Sequence, residues 1–163
     1  MNKTEILEQI IAHLQADVDS MKRAEKHSHS VATDKENQPK SKYETLALES
    51  SYLAQVQCDR VNQMEAILMA YQALRGEVIE KGDIIRLSAL VTVEETDQPR
   101  QHYFIGPKTG GWAGLELDVD DECVTVITSA SPIGQALLGH KEGDTLTVKI
   151  GWNERTLTIS AVS

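Results

Sequence analysis

Residues 7–21, LEQIIAHLQADVDSM, place Leu7, Ile11, Leu14, Val18 and Met21 at alternating steps of four and three. That spacing is the a/d seam of an amphipathic helix sustained for a little over two heptads, and Ile6 and Ile10 widen the apolar stripe. So short a seam does not hold a helix by itself, so a partner helix is required. The nearest source is the chain's own return. Residues 1–75 contain no glycine and one proline, Pro39, whereas all ten glycines fall between Gly76 and Gly151. Glycine and proline are costly inside helices and punctuate turns, so the first 75 residues predict two helices joined near Pro39. The return helix is expected from about Ser41 to Arg75, with Leu46, Leu53, Val56, Val61, Met64, Ile67, Leu68, Tyr71 and Leu74 as its apolar positions. The intervening HSHSVATDKENQPKSKYET is polar and forms the tip, near residues 28–42, with Thr33 or Asp34 suited to cap a helix start.

The fold class is therefore α+β. An antiparallel two-helix coiled-coil hairpin is expected over 1–80, followed over 81–163 by a small antiparallel sheet with one short helix. Beyond Gly82 the apolar period changes from 3.6 to 2. Strands are expected from Ile84 to Val93, His102 to Ile105, Cys123 to Thr128, Thr145 to Ile150 and Arg155 to Val162. In SASPIGQALLGHKEGD, Ser131 is placed to cap, Pro132 suits the first helical position and Gly139 suits a left-handed C-terminal residue. Trp152 is expected to pack near the last hairpin, and Trp112 to anchor the loop GGWAG.

The formal net charge is -9. Both parts are acidic, with 10 basic and 13 acidic residues up to Lys81 and 6 and 12 after it. Duplex nucleic acid demands clustered cations, so any contact with nucleic acid is local. Cys58 and Cys123 lie far apart with no metal spacing, which points to reduced packing residues and a cytoplasmic location. No apolar run reaches the roughly 18 residues of a spanning helix, so no membrane partner is expected. His27 and His29 stand beside the tip as an HxH pair. In a polar segment such a pair is ordinarily solvated, and no metal site or cofactor intrinsic to the chain is expected.

The two-helix start, the tip residues Asp34, Lys35, Glu36 and Asn37, and the SPIGQALLG helix followed by Gly143 and Asp144 together resemble the bacterial GreA/GreB transcript cleavage factors. The resemblance covers nearly the whole chain and implies an FKBP-like C-terminal domain. It implies an accessory factor, not itself an enzyme, that binds RNA polymerase at its secondary channel and acts on paused or backtracked complexes. Nascent RNA and template DNA would be met only within that complex. On this resemblance Asp34 and Glu36 are the tip acids lent to a catalytic Mg2+ of the polymerase, a hard cation commonly held by one or two carboxylates. Ser131, Pro132 and Ile133 would contact the polymerase, and Lys22, Arg23 and Lys26 would face RNA. The family's tip acids are three residues apart, whereas Asp34 and Glu36 are two apart and would diverge on a regular helix. Both a cleavage-stimulating factor and a non-cleaving regulator remain open, as do a prolyl isomerase of FKBP type and a helical-hairpin scaffold.

Overall fold

The computed structural model describes residues 2–33, 44–80, 82–95, 99–108 and 114–163. The first helix, α1 (Lys3–Thr33), opens on Asn2, whose Oδ1 accepts from the Thr4 backbone N–H at 3.0 Å and so satisfies one of the helix's unpaired donors. The second, α2 (Glu44–Gln72), returns alongside it. Polar pairs mark the direction. Lys3 reaches Glu77, Glu8 reaches Arg75 and Lys22 reaches Glu65, so partner numbers fall as α1 numbers rise, which is the register of an antiparallel pair.

The expected seam is buried as predicted: Ile6, Leu7, Ile10, Ile11, Leu14 and Val18 on α1, and Val61, Ile67, Leu68 and Tyr71 on α2. Met21, Met64 and Leu74 are half-buried, and Leu53 and Val56 are exposed, as is Tyr52 beside them. Thr33 is also the last residue of α1 rather than the cap of a new helix. Asp34, Glu36, Asn37 and Pro39 lie outside the described residues.

The chain forms two compact units, one of Ile11–Met69 and one of Met1–Ile10 with Ala70–Ser163. The second unit therefore combines the roots of both helices with the sheet. Its strands are β1 (Leu90–Glu95), β2 (Gln101–Gly106), β3 (Leu115–Val119), β4 (Glu122–Thr128), β5 (Thr145–Ile150) and β6 (Asn153–Val162), in the order β3-β4-β2-β1-β6-β5. All neighbours are antiparallel except β2 and β4, which run parallel. The short helix α3 (Pro132–Leu137) leaves the end of β4 and buries Leu137 in a core with Ile85, Val91, Ile105, Ile127 and Ile159. Strand β2 is buried along nearly its whole length, so both of its faces are covered.

Several expectations change here. The first strand begins at Leu90, not Ile84. Ile85 instead exchanges backbone hydrogen bonds with the end of α3, donating to the His140 carbonyl at 2.7 Å and accepting from Gly139 at 2.9 Å. Ser88 then turns the chain with φ 71°. Strand β3 was not expected, although LELDV alternates with period 2. Asp120 and Asp121, at φ 55° and 64°, close a two-residue hairpin into β4. Trp152 is 99% exposed on its turn, and Cys123 is exposed rather than packed. Trp112 lies outside the described residues.

Ser88 combines two unfavourable features: a left-handed backbone on a non-glycine residue, and a fully buried hydroxyl without a hydrogen-bond partner in the structure. Ser88→Gly relieves both at the cost of extra backbone entropy in the unfolded chain. It is expected to stabilise the protein by about 1 kcal/mol, measured by urea unfolding. A loss of stability in that variant would show that the hydroxyl is satisfied in solution.

Candidate functional site

The start of α3 is built into the end of β4. The Ser131 side chain accepts from the Gly134 N–H at 3.0 Å and donates to the Thr128 carbonyl at 2.8 Å, while the Ser131 N–H also donates to that carbonyl at 3.0 Å. Ser131 has the extended backbone of an N-cap, with φ -68° and ψ 154°, and Pro132 occupies the first turn, where its missing N–H is no loss. Gly139 takes the expected left-handed conformation, φ 83°. The cap is rigid because one hydroxyl serves both the helix and the strand.

Rigidity leaves a small, mostly apolar edge. Pro132 is exposed, and Ile133 is half-buried with part of its side chain against the core cluster. Ser131, Pro132 and Ile133 are thus contiguous on a fixed surface without a charged group of their own. Nearby, Asp144 closes the following turn by accepting from the Lys141 N–H at 3.0 Å. That bond, together with His140 at 3.3 Å, holds its carboxyl below the usual range. This explains the GD pair as turn chemistry.

The basic trio is divided by its contacts. Lys22 is ion-paired with Glu65 across the helices, and the hydrogen bond to Glu65 pushes the ammonium pKa up. Arg23 and Lys26 are exposed on α1. His27 and His29 fall within α1. Among the described residues no group of three or more His, Cys, Asp or Glu side chains could hold a metal ion. No described helix is long and apolar enough to cross a membrane. The tip acids Asp34 and Glu36 lie outside the described residues.

Tyr103 and Phe104, aromatic candidates for an isomerase pocket, are buried neighbours on β2 and therefore lie on opposite faces of the sheet. They do not line one cavity.

The residues that build this domain also match a family. The model described as "Transcription elongation factor, GreA/GreB, C-term" matches residues 80–163. The chain belongs to the GreA/GreB family. Two GreA proteins described as transcription elongation factors, from Brucella anthropi and Desulfovibrio desulfuricans, are each 30% identical to it over 106 residues. The matches cover 61% and 64% of this chain and 58% and 59% of those proteins, so the chain spans about three-fifths of their length. GreA factor homolog 1 of Thermus thermophilus aligns over 94% of both chains at 18% identity and a TM-score of 0.39.

Sequence alone had marked Ser131 and Pro132. It missed Gly134, whose only signal was a glycine in the interior of a helical pattern. The carbonyl that Gly134 approaches, that of Thr128, leaves no trace in sequence because any residue supplies one.

Proposed function

We propose that this GreA/GreB family member is an accessory elongation factor of RNA polymerase. It docks through the α3 edge at Ser131, Pro132 and Ile133 and acts from the secondary channel on paused or backtracked complexes. The observation that carries the proposal is the family match over 80–163, the very segment in which Ser131 fixes an exposed, uncharged edge. Asp34 and Glu36 are proposed to supply oxygen ligands to a polymerase Mg2+, which would orient water for cleavage of the transcript. The chain itself then supplies position and charge, and the polymerase supplies the active centre. Nascent RNA is met only inside that complex, with Arg23 and Lys26 as the exposed cations on α1.

Transcript cleavage in a stalled, backtracked elongation complex tests this. Pro132→Glu keeps a favourable first-turn residue in α3 but charges its exposed edge, and is expected to weaken binding to polymerase core about tenfold. Asp34→Ala and Glu36→Ala are expected to leave binding intact and to abolish stimulation. The two-residue spacing of these acids favours a second outcome, in which the native chain binds and slows elongation without stimulating cleavage, and the alanine variants bind equally well. No binding to core polymerase at micromolar concentration overturns the proposal.

A further inference from the structure

The root of the helical hairpin carries a group of directional polar contacts. The Lys3 ammonium donates to the Glu77 carbonyl at 2.6 Å. Arg75 Nε and Nη2 donate to the two carboxylate oxygens of Glu8 at 2.7 and 2.6 Å. Arg86 Nη2 donates to the Val78 carbonyl at 2.8 Å, and its Nη1 lies 3.4 Å from the Glu77 carboxylate. Glu8 and Arg75 are about half exposed, where an ordinary ion pair contributes little to stability.

Their geometry suggests a different task. The guanidinium fork matches a carboxylate in one arrangement only. The apolar seam beside it, Ile6, Leu7, Ile10, Ile11 and Leu14, repeats similar aliphatic side chains at helical spacing. Such a stripe buries nearly as well after a slip of one turn, so it drives association without choosing a register, whereas a polar pair chooses one. Lys3 and Glu8, on successive turns of α1, are held by residues two apart on the chain leaving α2. Two attachment points on each strand of the root fix both translation and rotation.

We propose that the Glu8–Arg75 fork and the Lys3–Glu77 carbonyl bond form a positioning clasp. It sets the register of α1 against the segment leaving α2, so that an effect exerted through the hairpin depends on it while docking through the α3 edge does not. This role rests on the polymerase function proposed above.

The test uses the full chain carrying Glu8→Arg, Arg75→Glu or both, with the maximal effect on a backtracked complex and the half-saturating concentration measured separately. Each single substitution is expected to lower the maximal effect, whether stimulation or inhibition, about tenfold, as expected for small misplacement of an acting group. The half-saturating concentration stays within about twofold, and the exchanged pair restores at least half of the lost effect. Melting temperatures of all variants remain close to that of the native chain. Unchanged maximal effects overturn the clasp, as do failure of the exchanged pair to restore activity and a parallel loss of binding and thermal stability. A native chain that binds no polymerase removes the functional proposal and this role together, whereas native activity untouched by the substitutions removes only the clasp.

Discussion

Gly134→Ala is expected to destabilise the sheet-containing unit by about 3 kcal/mol and to lower its melting temperature by roughly 10–20 °C. Helix propensity predicts the opposite sign, since alanine in place of glycine inside a helix is ordinarily worth about 1 kcal/mol. Packing decides the matter. A Cβ on Gly134 would stand 2.2 Å from the Thr128 carbonyl oxygen, 3.1 Å from its carbon and 3.0 Å from Ser131 Oγ. Thr128 ends β4, an interior strand held between β3 and β2, and its carbonyl already accepts two hydrogen bonds from Ser131. The clash is therefore with backbone that cannot retreat without breaking the ladder or the cap. Gln135→Ala, exposed on the same helix, is the control and should change stability by less than about 0.5 kcal/mol. An alanine variant as stable as the native chain would mean that α3 does not sit against β4 as described. On the function proposed above, the same substitution is also expected to weaken polymerase binding, because the edge at Pro132 and Ile133 is held in place by this contact.

How much of this was legible beforehand depends on the range of the interaction concerned. The α1 seam was readable because a single helix face repeats locally, and the α3 cap because Ser131, Pro132 and Gly139 each act within one turn. Leu53 and Val56 were misplaced because their own helix carries the apolar pattern, while burial depends on what the opposite helix presents. Ile85 and Leu87 alternate like strand residues, yet Ile85 finds its hydrogen bonds at Gly139 and His140, more than fifty positions away. The β3 hairpin was hidden for a different reason: its turn uses two aspartates, where left-handed backbone is more often supplied by glycine or asparagine. The α3 edge was legible as sequence chemistry, but the reason its cap holds, a carbonyl of β4 that takes two hydrogen bonds from one serine, is a tertiary fact. The clasp was invisible for the same reason, because Glu8 and Arg75 meet only once the hairpin has closed.

The second large effect concerns Gly106, and here the expected result is a coupling. A Cβ on Gly106 would lie 2.1 Å from Tyr71 Oη, 2.9 Å from Cζ and 3.3 Å from Cε1. Tyr71 is 1% exposed, so the ring has no open space into which to move, and Gly106 is fixed by its register with Thr128 and by the Ser129 N–H that donates to its carbonyl at 3.1 Å. Gly106→Ala is expected to cost about 3 kcal/mol. In the Tyr71→Phe background the closest atom is gone but Cζ remains tight, so the cost should fall to about half, a coupling of about 1–2 kcal/mol between the two positions. Burial also pushes the Tyr71 phenol up to about 12. The unfolded chain ionises this tyrosine near its ordinary value of about 10, so the contribution of a neutral Tyr71 is fully present below that pH and is lost as pH rises toward the folded value, by about 2–3 kcal/mol in all. Tyr71→Phe should remove that component of the alkaline decline and leave the smaller one from Tyr103, whose phenol is also raised by burial. Equal costs for Gly106→Ala in the two backgrounds, with an unchanged alkaline profile, would show that the ring does not lie over Gly106. The contact matters beyond stability, because Tyr71 belongs to the last turn of α2 and Gly106 to the end of β2. It is the point at which the side chain of a hairpin helix meets β2, which pairs through Gly106 with Thr128 of β4, the residue whose carbonyl anchors Ser131 at the edge proposed for docking.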